Sequence, residues 1–288
     1  MKQVQVRQMS DELLGNGYTV LPLSSLHALN ATRDALLGRL RRTLSDPSAS
    51  FESYHETVRD QRVHESVLES LTDELRQGRH TRHIIEAELE FFRQFIGPDL
   101  CLQRLPYMRI ARPLVAGDNV DYHRDTQYGR SPFELSVWIP FVDVAPEMAL
   151  RILPGSHVAP ESDYPTTQRE RPDVPRGGLR HQLGFPYAPK SMSSSIETQM
   201  QPVPVKYGQI LLFSLSVVHG QRINTGPLTR FSCDSRVVNG LAPIAWEASV
   251  SGRYYETLTR SAVSEQARRY AVSNQLPTNM DELGPHGL

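Results

Sequence analysis

The chain has few cysteines and no long apolar run, and these absences narrow the classes to which it can belong. Its 288 residues include two cysteines, too few for a disulfide framework, so both thiols are expected to be buried. No stretch of about 18 apolar residues occurs, which predicts no membrane span. The amino end has no apolar run behind a basic segment, so no secretory signal is expected, and a cytoplasmic location is predicted.

An excess of charge of one sign is also missing. The chain carries 31 Lys and Arg against 32 Asp and Glu, for a net charge of −1. This balance predicts no nucleic acid or membrane surface as the main partner. The nucleotide-binding patterns G-x-x-x-x-G-K-[S/T] and G-x-G-x-x-G are absent, as is the G-x-S-x-G of many serine hydrolases. A small molecule is therefore the expected partner.

The texture of the sequence changes near residue 101. Apolar residues at helical spacing in 26–44 predict a helix in the first part of the chain. After residue 101 the apolar runs are short and rich in β-branched and aromatic residues, with Pro and Gly between them. Such runs predict strands of a β core with helical flanks, in a sandwich or barrel. The predicted strands are 102–112, 133–144, 149–155, 208–215 and 228–238.

These patterns predict one domain over residues 1–288. Its parts are a mostly helical N-terminal part (1–100), a β core (101–240), a lid-like insertion (159–200) and a C-terminal extension (241–288). The insertion is dense in Pro, Ser and charge and shows no clear period, and long loops of this kind are more often functional than accidental.

The side chains of His123, Asp125 and His219 are of the types that bind a metal ion. His123 and Asp125 are two positions apart, so in an extended segment both side chains are on one face. His219 follows the apolar run GQILLFSLSVV and can supply a third ligand. Two histidines and one carboxylate form the facial triad of non-haem iron(II) oxygenases. H-x-D alone is weak evidence in a chain with 10 histidines.

The segment after His219 strengthens the metal interpretation. Alternation along the last predicted strand places Arg230 and Ser232 on one face, together with Asp234 and Arg236. That face is either the solvated outside of an edge strand or the interior of the core. In the interior, Arg230 could hold one carboxylate of a dicarboxylate bidentately while the metal holds the other end, and Ser232 could add a hydroxyl donor.

The combination of H-x-D, a distal His-Gly and an Arg eleven positions later resembles the phytanoyl-CoA dioxygenase-like branch of the iron(II)/2-oxoglutarate oxygenases. The turn L-P-G-S-H at 153–157 and the Gly-Gln pair at 208–209 agree with that family. The resemblance covers roughly residues 100–240. It implies a double-stranded β-helix (a cupin-like jelly roll) in which His123, Asp125 and His219 bind Fe(II), Arg230 anchors the co-substrate 2-oxoglutarate, and O2 is the oxidant.

Further residues have two interpretations each. Trp138 is similar in position to a Trp that flanks 2-oxoglutarate in some members, or it is a core aromatic. Arg109, which follows Tyr107 on the strand before H-x-D, is a second co-substrate anchor or a surface residue. Arg236 either points to the substrate or pairs with Asp234.

The resemblance implies a dioxygenase that oxidises a small molecule by hydroxylation or oxidative cyclisation. A carboxylate at position 125 argues against halogenation, because related halogenases leave that position to a small residue. The polar insertion favours a polar substrate, such as a carbohydrate-containing or antibiotic-type secondary metabolite. The alternatives are a metal-dependent cupin enzyme without 2-oxoglutarate and a non-catalytic sugar-binding jelly roll, neither of which gives Arg230 a role.

Overall fold

The computed structural model describes residues 3–242 and 254–275. Within these ranges, six helices lie before residue 100, a short one lies within the insertion, and one follows the last strand. They are α1 (Gln3–Asn16), α2 (His27–Leu44), α3 (Tyr54–Thr57), α4 (Gln61–Gln77), α5 (His80–Ala87), α6 (Leu89–Phe95), α7 (Leu179–Gln182) and α8 (Ala262–Ser273). Residues 243–253 and 276–288 of the predicted C-terminal extension lie outside the described ranges.

Within the described ranges, twelve strands form two main antiparallel sheets and a separate two-stranded sheet. They are β1 (Tyr18–Pro22), β2 (Leu100–Gln103), β3 (Tyr107–Ala111), β4 (Glu134–Pro140), β5 (Leu150–Ile152), β6 (Thr166–Gln168), β7 (Lys190–Met192), β8 (Gln201–Val203), β9 (Gln209–Ser214), β10 (His219–Gln221), β11 (Arg230–Asn239) and β12 (Tyr255–Thr259). The larger sheet has the order β1-β9-β4-β11-β2-β12, with β3 also paired to β11. The smaller sheet is β10-β5-β8, and β6 pairs with β7.

The predicted strand over residues 102–112 is interrupted. The structure ends β2 at Gln103 and begins β3 at Tyr107, with Pro106 between them. Proline has no backbone N–H to donate to a sheet, so the run bends there and both halves pair separately with β11. The single predicted strand is therefore wrong at this point.

The helices pack on the outside of the larger sheet and share its core. Asp60 caps α4 by accepting from the N–H groups of Arg62 and Val63, and the apolar face of α4 joins the same buried cluster as β3, β4 and β9. Both cysteines are buried, as composition predicts. No helix within the described ranges is long and apolar enough to cross a membrane.

The two main sheets enclose a cavity. Residues of β3, β4 and β11 in the larger sheet and of β5 and β10 in the smaller one line it together. Two facing antiparallel sheets with helices outside them are the architecture predicted for the core, a double-stranded β-helix, and the fold class is confirmed.

Candidate active site

The cavity between the sheets has a volume of about 320 Å³ and holds all three predicted metal ligands in its wall. Its remaining wall is mixed, with aromatic rings, three arginines and a carboxylate. Part of the insertion closes one side. The residues that line the cavity include Tyr107, Arg109, His123, Asp125, Tyr128, Arg130, Trp138, His181, Gly184, Phe185, Pro186, His219, Asp234 and Arg236.

Backbone pairing brings His123 and His219 together. The N–H of each donates to the carbonyl of the other, at 2.9 and 3.0 Å, and β10 continues this ladder onto β5. The two imidazole centroids are 4.5 Å apart. Asp125 begins a short 3-10 turn directly after this bridge, and its Oδ1 lies 3.4 Å from His123 Nε2. One ligand atom from each of the three side chains lies within 4.8 Å of the others.

Hydrogen bonds to backbone carbonyls fix both imidazoles. His123 Nδ1 lies 2.6 Å from the carbonyl of Asp121, and His219 Nδ1 lies 3.0 Å from that of Val217. Since only a protonated Nδ1 can donate to a carbonyl, the neutral form of each imidazole carries its lone pair on Nε2. Second contacts of this kind orient ligand histidines at metal sites.

Gly220 explains the His-Gly pair of the sequence. A Cβ at this position would lie 2.8 Å from the Cα and 2.9 Å from the N of Tyr122, both backbone atoms. Only glycine lets the segment carrying His123 approach β10 so closely. Ser156, in the L-P-G-S-H turn, accepts from the N–H of Val218 at 2.8 Å and supports the same strand.

The charges at the site favour ligation. Burial alone would raise the pKa of Asp125, but the Arg236 guanidinium and the two imidazoles hold that pKa well below its usual range. Burial, reinforced by neighbouring His123, lowers the pKa of His219 to about 4. Asp125 is therefore an anion and His219 a neutral donor near neutral pH. Two imidazole nitrogens and one carboxylate oxygen on one side of a buried point suit iron(II).

Arg230 lies deeper, behind the cavity wall, and its outer edge has no partner. The side chain is buried, and its Nη1 donates to the carbonyl of Met148 at 3.0 Å. Its Nε and Nη2 find no hydrogen-bond partner, nor do the Ser232 hydroxyl and the Trp138 indole N–H. Trp138 opposes Asp234 on the neighbouring strand, so it shares the inner face of β11, and its ring lies 5.7 Å from the Arg230 guanidinium.

Arg109 points into the cavity, and its donors are engaged. Its Nε donates to Asp234 at 2.8 Å, and its two terminal nitrogens donate to the carbonyls of Leu183 and Gly184 at 3.3 Å. It thus ties the insertion to β11. A role for Arg109 in co-substrate binding stays a prediction, and the structure gives it neighbours that already occupy its guanidinium.

Arg236 has a partner that neither sequence interpretation named. It contacts Asp125 instead of Asp234, with Nη2 2.6 Å from Oδ2. Its Nη1 lies 3.2 Å from the Tyr254 hydroxyl and 3.4 Å from Gln103 Oε1. Alternation along β11 correctly places Arg236 on the inner face, but a contact across 111 positions has no local sequence signal.

Comparison with known proteins adds a family and a fold. The phytanoyl-CoA dioxygenase (PhyH) family model matches residues 14–232. A search of curated proteins finds no match. The chain is similar to the non-heme monooxygenase ThoJ in its apo form, with 16% identity, a TM-score of 0.54, and 88% of this chain and 84% of that chain covered.

Two further solved structures have the same fold. The ThoJ–Ni complex has 16% identity and a TM-score of 0.51, covering 88% of this chain and 84% of that chain. EvdO2 from Micromonospora carbonacea var. aurantiaca has 16% identity and a TM-score of 0.50, covering 83% of this chain and 92% of that chain. At this identity the likeness concerns the fold.

Proposed function

The chain belongs to the phytanoyl-CoA dioxygenase (PhyH) family of oxygenases, and from that premise we propose that it is an Fe(II)- and 2-oxoglutarate-dependent oxygenase of a polar small molecule. One observation carries the proposal. A His-Asp-His cluster and a buried arginine with an unpaired edge share the interior of one jelly roll. Among the residues that the structure describes, no other group of three His, Cys, Asp or Glu side chains could hold a metal.

The three side chains would hold iron with one ligand atom each, and these atoms lie within 4.8 Å of one another. Both histidines present Nε2 because their Nδ1 atoms are held by carbonyls, and Asp125 presents Oδ1 because Arg236 holds Oδ2. Iron(II) held there would, with 2-oxoglutarate and O2, supply the oxidising power to attack an unactivated C–H bond. One oxygen atom of O2 would enter the succinate formed as carbon dioxide leaves, and the other would oxidise the substrate.

Arg230 would bind the remote carboxylate of 2-oxoglutarate. Its Nε and Nη2 form the flat edge of the guanidinium that matches two carboxylate oxygens, and Met148 holds the opposite side. A buried guanidinium without an anion is costly, so its place here is explained by a ligand that supplies one. The Ser232 hydroxyl and the Trp138 N–H are unpaired donors on the same face.

The rest of the cavity would position the substrate and exclude water. His181, Gly184, Phe185 and Pro186 cover one side from the insertion, in keeping with the predicted lid. Asp234 lines the wall with one oxygen bonded to Arg109, among aromatic rings. A mixed polar and aromatic wall supports a hydroxylated substrate, such as a carbohydrate-containing or antibiotic-type secondary metabolite.

The reaction would be hydroxylation or oxidative cyclisation. Asp125 fills the carboxylate position of the triad, which speaks against halogenation. A cupin enzyme without 2-oxoglutarate, or a sugar-binding jelly roll, would leave the unpaired edge of Arg230 without a purpose. No observation favours either of them.

The test is succinate formation. Purified protein with Fe(II), 2-oxoglutarate and O2 should release succinate, and faster when a panel of hydroxylated and glycosylated metabolites contains a substrate. His219→Ala should abolish the release, whereas His83→Ala, at an exposed position on α5, should leave it unchanged. No succinate from wild type above the His219→Ala level, with or without the panel, would contradict the proposal.

A further inference from the structure

Arg236 contacts the candidate metal site without supplying a ligand. Its Nη2 lies 2.6 Å from Asp125 Oδ2, the carboxylate oxygen turned away from His123. Both side chains are largely buried, with 14% and 11% of their surface exposed. A charge-assisted bond of this length in a dry site is strong and directional.

A relay of hydrogen bonds sets the direction of this arginine. The amide nitrogen of Gln103 donates to the carbonyl of Leu105 at 2.7 Å, which turns Gln103 Oε1 toward Arg236 Nη1. The Tyr254 hydroxyl accepts a hydrogen bond from the same Nη1 at 3.2 Å. Gln103 is buried in β2, so the relay is anchored in the sheet.

We infer that Arg236 is a positioning residue for the metal, which occupies the outer oxygen of Asp125 so that the carboxylate offers iron one oxygen only. The inference rests on the proposed function and deepens it. A free carboxylate can rotate about its χ2 torsion and present either oxygen or both. With Oδ2 held, Oδ1 remains beside His123 Nε2, and the carboxylate does not take a second position at the metal.

Arg236 thereby acts on metal affinity before any co-substrate binds. Outer partners of metal ligands typically change affinity by about 10- to 100-fold when removed. Arg236→Gln should weaken binding of Co(II) by a factor in that range and alter its visible absorption, because the carboxylate is then free to bind through both oxygens. Arg236→Lys should recover part of the affinity, since an ammonium can still donate to Oδ2.

A second variant tests the relay without removing the charge. Gln103→Met should also weaken Co(II) binding, but by less than Arg236→Gln. In this variant Arg236 keeps its hydrogen bond to Asp125 and loses only its contact with Gln103 Oε1. Arg109→Gln is the matched control. It removes a cavity arginine of the neighbouring strand that contacts Asp234 and no metal ligand, so Co(II) affinity should stay within about twofold of wild type.

The experiment titrates metal-free protein with Co(II), first without and then with 2-oxoglutarate, and records affinity and absorption. Thermal unfolding checks that each variant folds. Wild-type affinity and spectrum in folded Arg236→Gln would overturn the inference while leaving the proposed function intact. So would a defect that appears only after 2-oxoglutarate is added, which would assign Arg236 to the co-substrate. No Co(II) binding by wild type would overturn both.

Discussion

Arg230 and Arg236 lie on the same face of β11, six positions apart, and have opposite surroundings. Arg236 donates to an anion, Asp125, and has polar oxygens on its other side. Arg230 has one backbone carbonyl and two unpaired nitrogens. Burial lowers the pKa of Arg230 to about 10. Burial acts on Arg236 in the same direction, but Tyr254 and Asp125 raise its pKa well above the usual value.

The difference shows that burial alone does not decide the state of a cation, because the neighbours do. A buried charge with an anion beside it is part of the folded structure. A buried charge without one is an unsatisfied site, and an anionic ligand removes its penalty. We therefore propose that the metal end of β11 is preformed and that the Arg230 end is completed by an anionic ligand.

The largest expected effect comes from removing the metal end. His219→Ala deletes one of three ligands and should lower metal affinity and succinate formation by about 1000-fold or more, as other losses of essential catalytic groups do. Metal titration and succinate assays measure both. If His219→Ala retained wild-type metal affinity, the cluster would not be the metal site, and the contrast between a metal end and a co-substrate end of β11 would be wrong.

The next effect comes from the other end. Arg230→Gln removes the charged fork and should raise the KM for 2-oxoglutarate by about 10- to 100-fold, the worth of a charge-assisted pair. Metal affinity should stay within about twofold of wild type, since Met148 and not a ligand contacts Arg230. Unchanged KM would place the co-substrate anchor elsewhere. A parallel loss of metal affinity would mean that the two ends are not separate.

Stability should change in opposite directions at the two ends. Arg230→Met removes an unpaired buried charge and should raise the free energy of unfolding of metal-free protein by about 1 kcal/mol. Arg236→Met leaves Asp125 without its cation and should lower that free energy by about 2 kcal/mol. Denaturant unfolding measures both. Changes of the same sign would break the comparison.

The smallest expected effect is the contribution of His64 to the pH dependence of stability, because the neighbouring carboxylate of Asp118 already binds Arg112. His64 Nε2 lies 3.5 Å from Asp118, yet Arg112 binds both oxygens of that carboxylate, and burial lowers the pKa of His64 to about 4 from 6.5. As pH falls, His64 is protonated in the unfolded chain before it is protonated in the folded protein. The stability that neutral His64 contributes is therefore complete above pH 6.5 and is lost as pH falls toward 4.

The measurement is the unfolding free energy of wild type and His64→Gln between pH 7 and about pH 5. His64 should account for a decrease on the order of 1 kcal/mol in wild type that the variant lacks. Identical pH dependence in the two proteins would show that Asp118 does keep His64 charged. Asp118 would then stabilise protonated His64 even though Arg112 binds the same carboxylate.

The sequence was sufficient for residues whose relations are local or follow the strand period. His123 and Asp125 are two positions apart, which predicts that they share a face, and the family resemblance adds His219 and Arg230 to the same site. The short β-rich runs predicted a sandwich or barrel, and the family resemblance narrowed this prediction to a jelly roll. Pro106 was visible too, although the single strand predicted over 102–112 ignored the break that it imposes.

Relations across distant segments were out of reach. The contact of Arg236 with Asp125 depends on where the loop before β4 crosses the end of β11. The carbonyls that fix His123 and His219 depend on backbone direction, which residue identity does not encode. The role of Gly220 appears only when Tyr122 of the facing segment is in place. In each case a second segment of the fold decides the role of the residue.

The most direct measurement is the visible absorption of protein mixed anaerobically with Fe(II) and 2-oxoglutarate. The account predicts a weak metal-to-ligand charge-transfer band in wild type that saturates with 2-oxoglutarate. The band should be absent in His219→Ala and should need about 10- to 100-fold more 2-oxoglutarate in Arg230→Gln. No band in wild type, or the same titration in all three proteins, would contradict the assignment of iron and 2-oxoglutarate to this cavity.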